Sequence, residues 1–137
     1  MPPATDDILQ KMLAADAYSR WLGLVIEEYR VGYCRLHFTI RADMVNGFGI
    51  VHGGILFSAA DSAFAFVCNS QGILSVALDA HIAFIRAGQP GEVFTVEARE
   101  IHTGNKTGFY DVVTTNALGQ VVSTFKGTAY RTGKSVL

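Results

Sequence analysis

The 137-residue sequence has little charge of either sign. Only 17% of its residues are Asp, Glu, Lys or Arg, against about 25% in an average soluble domain. The 11 basic residues nearly balance the 12 acidic ones, and they form no cluster that could hold a phosphate backbone. We therefore expect no nucleic acid among the partners of this protein.

Long hydrophobic runs are also missing. The longest apolar stretch covers residues 50 to 68, and a membrane-spanning helix does not easily tolerate the polar residues within it: His52, Ser58, Asp61 and Ser62. Five charged residues break any apolar core of a secretory signal near the N-terminus: Asp6, Asp7, Lys11, Asp16 and Arg20. The sequence thus predicts a cytoplasmic protein without a membrane contact.

Cysteine is scarce as well. Cys34 and Cys68 are far apart in the sequence and lie in apolar neighbourhoods. Free cysteines in such surroundings usually act as small buried hydrophobic residues. We therefore expect neither a disulfide nor a metal site.

Apolar residues, in contrast, are abundant. They make up 50% of the sequence, and 14 further residues are glycine, which together exceed the usual share. The length suffices for one core without disulfide or metal staples. The composition predicts a single domain over residues 1–137, with some apolar surface covered by another subunit.

The apolar pattern changes its period along the chain. Helical spacing predicts a short N-terminal helix over about 5–22, started by Thr5 and two acidic residues. Period-two alternation over 24–40 predicts two strands or one hairpin, and four more strands follow at 74–85, 93–102, 109–116 and 121–130. Short turns between successive strands predict an antiparallel meander, and we expect the tail after Arg131 to be frayed.

Between these strands lies a segment with a different composition. Residues 52–72 are rich in Ala and Phe, contain no Pro and close with Asn69 and Gly72, which predicts a central helix over about 53–70. Apolar residues occupy almost every face, so the rest of the protein must wrap this helix. The predicted fold is α+β, with one long helix inside a curved antiparallel sheet of five to six strands.

One charge stands inside this apolar helix. Asp61 is the only charged residue between residues 50 and 72, and an unpaired carboxylate there loses hydration or raises its pKa. Two interpretations of Asp61 stay open. In the first, it is a structural acid whose carboxylate is held by a backbone N–H or by a cation. In the second, it is a functional acid.

The start of the helix is the second unusual feature. Gly53 and Gly54 follow His52, and they leave unpaired N–H groups unshielded at the positive end of the helix dipole. This arrangement suits a developing oxyanion, although the glycines also suit a tight turn and His52 a structural cap. Because Gly53 and Asp61 are about 12 Å apart along one helix, only two facing helices of a symmetric dimer can bring both to one carbonyl.

Five segments carry a resemblance to a known family. They are 46–54 (NGFGIVHGG), 60–65 (ADSAFA), 84–88 (FIRAG), 106–108 (KTG) and 125–127 (FKG). Together they resemble the hot-dog-fold acyl-CoA thioesterases of the phenylacetate-degradation (PaaI) type over roughly residues 10 to 133. The resemblance implies a continuous sheet across a homodimer that is the minimal active unit, with dimers paired into tetramers.

The resemblance also implies a reaction. This reaction is the hydrolysis of acyl-CoA thioesters, and the resemblance favours phenylacetyl or hydroxyphenylacetyl as the acyl group. It needs no metal and no bound cofactor, because coenzyme A is part of the substrate. Asp61 matches the catalytic base or nucleophile, and Gly53 matches the N–H that polarises the thioester carbonyl. Asn46 matches a polar group that positions substrate or water, and His52 the histidine of the motif.

Contacts with the substrate are expected from a second set of residues: Gly54, Phe57, Ser62, Arg86 and Lys106. Related enzymes place a hydroxyl that assists the water on the strand after the helix. Ser62 and Ser75 are candidates for this role, which stays open because alignment puts Ala77 near that place. Phe57 belongs to a set of phenylalanines that either line an acyl pocket or form plain core: Phe48, Phe57, Phe64 and Phe66. Three basic residues either bind the phosphates of coenzyme A or are ordinary solvated residues: Arg86, Lys106 and Arg131.

Two other functions use the same fold. A hydratase or dehydratase of acyl-CoA usually pairs an acid with a nearby His, and no His lies close to Asp61 in the helix. A non-catalytic acyl-CoA-binding module would ordinarily lack this acid and carry a DNA-binding segment. Release of free thiol separates hydrolysis from both alternatives.

Overall fold

Three α-helices and six strands make up residues 5–137, the part of the chain that the computed structural model describes. No helix in this part is long and apolar enough to cross a membrane. A short 3-10 turn, Ala42–Met44, precedes the longest helix. The helices and strands are α1 (Thr5–Ala15), α2 (Ala17–Leu22), β1 (Val25–Arg30), β2 (Tyr33–Thr39), α3 (Gly53–Cys68), β3 (Ile73–Phe84), β4 (Val93–Thr103), β5 (Thr107–Thr115) and β6 (Val121–Ser135).

All six strands form one antiparallel sheet in the order β1-β2-β4-β5-β6-β3. The predicted fold class is confirmed, but the prediction of a complete meander is wrong at β3, which pairs with β6 at the sheet edge. The loop 85–92 therefore runs back across the end of the sheet instead of closing a hairpin. Backbone bonds hold this loop in place, since Val51 N donates to Gly88 O and Gly91 N donates to Ile40 O, both at 2.8 Å.

The central helix α3 packs against five strands of the sheet and against α2. Phe64 shows how close this packing is: its ring lies 5.4 Å from that of Tyr110 and 5.7 Å from that of Phe125. A Cβ on Gly127 would lie 2.8 Å from the Phe64 ring, so the glycine allows the helix to approach β6. The sheet leaves one stripe of α3 only half-buried: Gly53, Phe57, Ser58, Asp61, Ser62 and Ala65.

Both ends of the chain differ from the sequence prediction. The N-terminal helix is interrupted at Asp16, whose carboxylate caps α2 by accepting the Ser19 N–H at 2.9 Å. The tail after Arg131 is not frayed, because β6 continues to Ser135 and Val136 donates its N–H to Gly72 O at 2.9 Å. The central helix ends at Cys68, two residues before the predicted end.

Candidate active site

The amino end of α3 presents one backbone N–H that is free of any acceptor in the described residues 5–137. His52 caps the helix, since its Nδ1 accepts the Gly54 N–H at 2.8 Å and its carbonyl accepts the Ile55 N–H at 2.9 Å. The Gly53 N–H has no acceptor within residues 5–137. The cap thus occupies the second glycine and leaves the Gly53 N–H available to a ligand at the positive end of the helix.

A cavity of about 360 Å³ opens beside this donor. It brings together three of the residues predicted for the site, namely Asn46, Gly53 and Arg86. The ring of Phe84 lies against Gly53, where an added Cβ would be 3.1 Å from the ring Cζ. Apolar side chains from α3 and the two flanking loops complete the wall: Ile50, Val51, Leu56, Ile85 and Ala87.

The side-chain amide oxygen of Asn46 accepts hydrogen bonds from the backbone of its own loop. Its Oδ1 accepts the Phe48 N–H at 2.9 Å and the Ile50 N–H at 3.4 Å. The NH₂ group is therefore the end that remains for a substrate or a water. At the opposite wall, Arg86 is exposed and donates from Nη1 to Val121 O at 2.9 Å.

Asp61 lies about two helical turns after Gly53, in the half-buried stripe of α3. Its carboxylate makes no hydrogen bond and no ion pair within the described part of the chain, residues 5–137. Burial raises the pKa of the Asp61 carboxyl above its usual value, and the negative charge of Asp16 raises it further. Such a carboxylate is a stronger base than an exposed one and has free lone pairs.

One chain does not bring the remaining predicted residues to the same place. Ser62 Oγ lies 2.7 Å from Ser19 Oγ, and Phe57 packs on Phe125 with ring centroids 5.5 Å apart. Lys106 lines a separate cleft of about 290 Å³. In that cleft Arg131 is engaged, since its Nη1 donates to Gly104 O at 2.6 Å.

The structure places some of the predicted phenylalanines and serines in the core and others at the surface. Phe64 and Phe66 are buried in the core, whereas Phe48 is exposed. Ser75 is buried and donates to Ile73 O at 3.0 Å. Sequence reasoning missed Phe84, although it opens the segment 84–88 that contributed to the resemblance, because its orientation depends on where β3 lies in the sheet.

The outer edge of β3 is unpaired within residues 5–137. Large apolar side chains on and just after this strand are exposed, including Leu78 at 58% and Phe84 at 56%. An exposed apolar edge strand is a template for pairing with another chain.

Known proteins of one family are similar to this chain. The sequence profile described as Thioesterase superfamily matches residues 48–123. Among curated proteins, "Acyl-coenzyme A thioesterase PaaI" of Escherichia coli (strain K12) is 39% identical over 125 residues, which cover 91% of this chain and 89% of that protein.

Solved structures give the same result. The E. coli PaaI protein of the phenylacetic acid degradation operon superposes with a TM-score of 0.93 at 37% identity, covering 96% of this chain and 95% of that one. A thioesterase protein from Streptococcus pneumoniae TIGR4 in complex with coenzyme A reaches a TM-score of 0.79 at 30% identity, covering 82% and 90%. The chain therefore belongs to the thioesterase superfamily and has its hot-dog fold.

Proposed function

We propose that this protein hydrolyses acyl-CoA thioesters to the free acid and coenzyme A in a site built from two chains. One observation carries the proposal: the Gly53 N–H and the half-buried Asp61 carboxylate lie on one helix, and neither has a partner among residues 5–137. The activity named for the E. coli relative and the coenzyme A held by the S. pneumoniae relative support the substrate class.

The helix geometry requires the second chain. Eight residues separate Gly53 from Asp61, which is about 12 Å along the axis, whereas both groups must come within about 3 Å of the reacting atoms. A two-fold axis that pairs the β3 edges places two α3 helices antiparallel. We therefore propose a homodimer as the minimal active unit, with Gly53 of one chain and Asp61 of the other in each site, and pairing of dimers into a tetramer.

In the proposed reaction, the thioester carbonyl oxygen accepts the Gly53 N–H in the cavity. Asp61 of the facing chain either takes a proton from a water that attacks the carbonyl carbon or attacks this carbon itself. Negative charge then develops on the carbonyl oxygen, where one such donor contributes about 2.7–4 kcal/mol in comparable sites. Collapse of the tetrahedral intermediate breaks the C–S bond and expels coenzyme A as its thiolate. When water is the attacking group, this step gives the free acid directly. When Asp61 attacks, the acyl group stays on Asp61 as an anhydride, which a water then hydrolyses to the free acid.

We propose aryl-acyl groups, such as phenylacetyl or hydroxyphenylacetyl, as the preferred substrates. Phe84 supports this choice, because its ring is the aromatic one among the residues that line the cavity beside Gly53. A substrate ring stacked on it would gain about 0.5–1.5 kcal/mol beyond burial. Arg86 at the cavity wall and Lys106 at the second cleft are proposed contacts for the coenzyme A phosphates.

No metal or bound cofactor is needed in this scheme, since Asp61 and Gly53 supply the base and the oxyanion donor. We propose that the protein works in a reducing compartment, because both of its cysteines are buried free thiols. We accordingly propose a cytoplasmic location.

The decisive variant is Asp61→Asn, which keeps the shape of the side chain and removes the base. We expect its kcat for phenylacetyl-CoA, measured with a chromogenic thiol reagent, to fall by about 10²- to 10⁴-fold, with the dimer intact. Asp7→Asn, on the exposed side of α1, is the matched control and should keep wild-type turnover. A hydratase or a binding module would release no thiol even as wild type, and wild-type-like turnover of Asp61→Asn would contradict the proposal.

A further inference from the structure

A chain of three polar side chains connects α2 with the residue next to Asp61. Asp16 accepts the Ser19 N–H on Oδ1 at 2.9 Å and the Ser19 hydroxyl on Oδ2 at 2.6 Å. The Ser19 Oγ lies 2.7 Å from the Ser62 Oγ on α3. Ser19 is only 1% exposed, so the chain is shielded from water at its centre.

The direction of the hydrogen bonds follows from the carboxylate. An ionised carboxylate only accepts, so the Ser19 hydroxyl must donate to Asp16. Since this uses the only proton of Ser19, the bond between the two serines must be donated by Ser62. The Ser62 Oγ is left with free lone pairs and no proton to offer, which makes it a fixed acceptor on the residue that follows Asp61 in α3.

Ser58, one turn earlier on α3, shows that this is not the ordinary behaviour of a helical serine. Its hydroxyl donates to Gly54 O at 2.7 Å, four residues back along the same helix. Ser62 makes no such bond within residues 5–137 and is tied to Ser19 instead. The two serines therefore form a matched pair, both on the half-buried stripe and both beside α2, since Ser58 also contacts Tyr18.

We propose that Asp16 and Ser19 are positioning residues for the attacking water, which they hold through Ser62 as a second acceptor beside the Asp61 carboxylate. This inference rests on the proposed thioesterase function, with Asp61 as general base. A water whose two protons are held by Asp61 and by Ser62 Oγ turns a lone pair away from both, towards a bound carbonyl carbon. Asp61 then takes one proton as the new C–O bond forms, and Ser62 keeps its own.

The charge of Asp16 supports the same role. It is the one charged group within residues 5–137 that appreciably opposes ionisation of Asp61, after the effect of burial itself. Of the other titratable groups, Cys68 on the same helix also interacts with Asp61. Asp16 therefore acts on the basicity of the carboxylate as well as on the placement of the water.

The first test compares Ser62→Ala with Ser58→Ala in the full-length protein, using thiol release from phenylacetyl-CoA. We expect kcat of Ser62→Ala to fall about tenfold, as for the loss of one hydrogen bond, with KM nearly unchanged. Ser58→Ala should retain wild-type kcat. Equal kcat values for the two variants would overturn the inference.

The second test is Asp16→Asn, read out as the pH profile of kcat/KM. Asn is as good a helix cap as Asp, so the thermal midpoint should stay near that of wild type. Loss of the charge should move the acid limb of the profile to lower pH, because ionised Asp61 is no longer opposed. An acid limb that stays where it is in Asp7→Asn would overturn the role of Asp16.

Activity of the wild type distinguishes failure of the proposed function from failure of the positioning role. If wild-type protein releases no thiol from any acyl-CoA, the proposed function is wrong. If wild type is active and the serine variants are indistinguishable, only the positioning role is wrong.

Discussion

Gly53→Pro removes the proposed oxyanion donor while keeping the helix. Gly53 is the first residue of α3, a position that accepts proline well because its N–H has no partner in the helix. No hydrogen bond within residues 5–137 is lost with this N–H. The preceding His52 has φ −66° and ψ 136°, which is the extended conformation that a residue before proline prefers.

The expected loss is large in kcat and small in stability. Removing one oxyanion donor lowers kcat by about 10²- to 10³-fold in comparable sites, or about 2.7–4 kcal/mol. The thermal midpoint should not fall, because proline at a compatible position restricts the unfolded chain. Both quantities are measurable on one preparation, by thiol release from phenylacetyl-CoA and by thermal unfolding.

Gly53→Ala is the matched control, since it adds a side-chain carbon and keeps the N–H. Its Cβ would lie 3.1 Å from Cζ of Phe84, a ring that is 56% exposed and free to shift slightly. We expect a modest rise in KM and a kcat near that of wild type. If proline and alanine variants have the same kcat, the Gly53 N–H is not the oxyanion donor.

Three further results are expected. Asp61→Asn should raise the thermal midpoint at pH 7, because ionised Asp61 with a raised pKa penalises the native state; the gain should vanish as the pH falls below the ordinary carboxyl pKa, and equal midpoints at pH 7 would contradict it. Gly127→Ala should lower the free energy of unfolding by about 1–3 kcal/mol through overpacking, because its Cβ would meet Phe64 at 2.8 Å; in a Phe64→Leu background denaturant unfolding should show a smaller loss. Leu78→Glu, at a side chain 58% exposed on the β3 edge, should give an inactive monomer by sedimentation, and an active dimer would place the interface elsewhere.

Features that depend on local sequence were predictable. The start of α3 at Gly53, its central place in the fold and the isolation of Asp61 follow from composition within residues 50–72, because a helix that is apolar on most faces has one place in a two-layer fold. The role of His52 as a cap was one of two local possibilities, and its bond to Gly54 shows that it caps the helix.

Features that depend on distant parts of the chain were not predictable. The loop 85–92 has the composition of a hairpin turn, yet it connects an edge strand to the middle of the sheet. Ser62 looks like any helical serine until α2 places Ser19 beside it. Helical spacing likewise does not predict that Phe64 lies in the core, or that Phe84 at the end of β3 lines the cavity.

Each proposed site combines Gly53 of one chain with Asp61 of the other. Co-expression of Gly53→Pro and Asp61→Asn chains with different affinity tags allows the heterodimer to be isolated. One of its two sites then carries both substitutions and the other carries neither, so we expect about half of the wild-type kcat per dimer, while each parent homodimer stays inactive. A heterodimer no more active than its parents would show that the site is not shared, because a site contained within one chain is damaged in both chains.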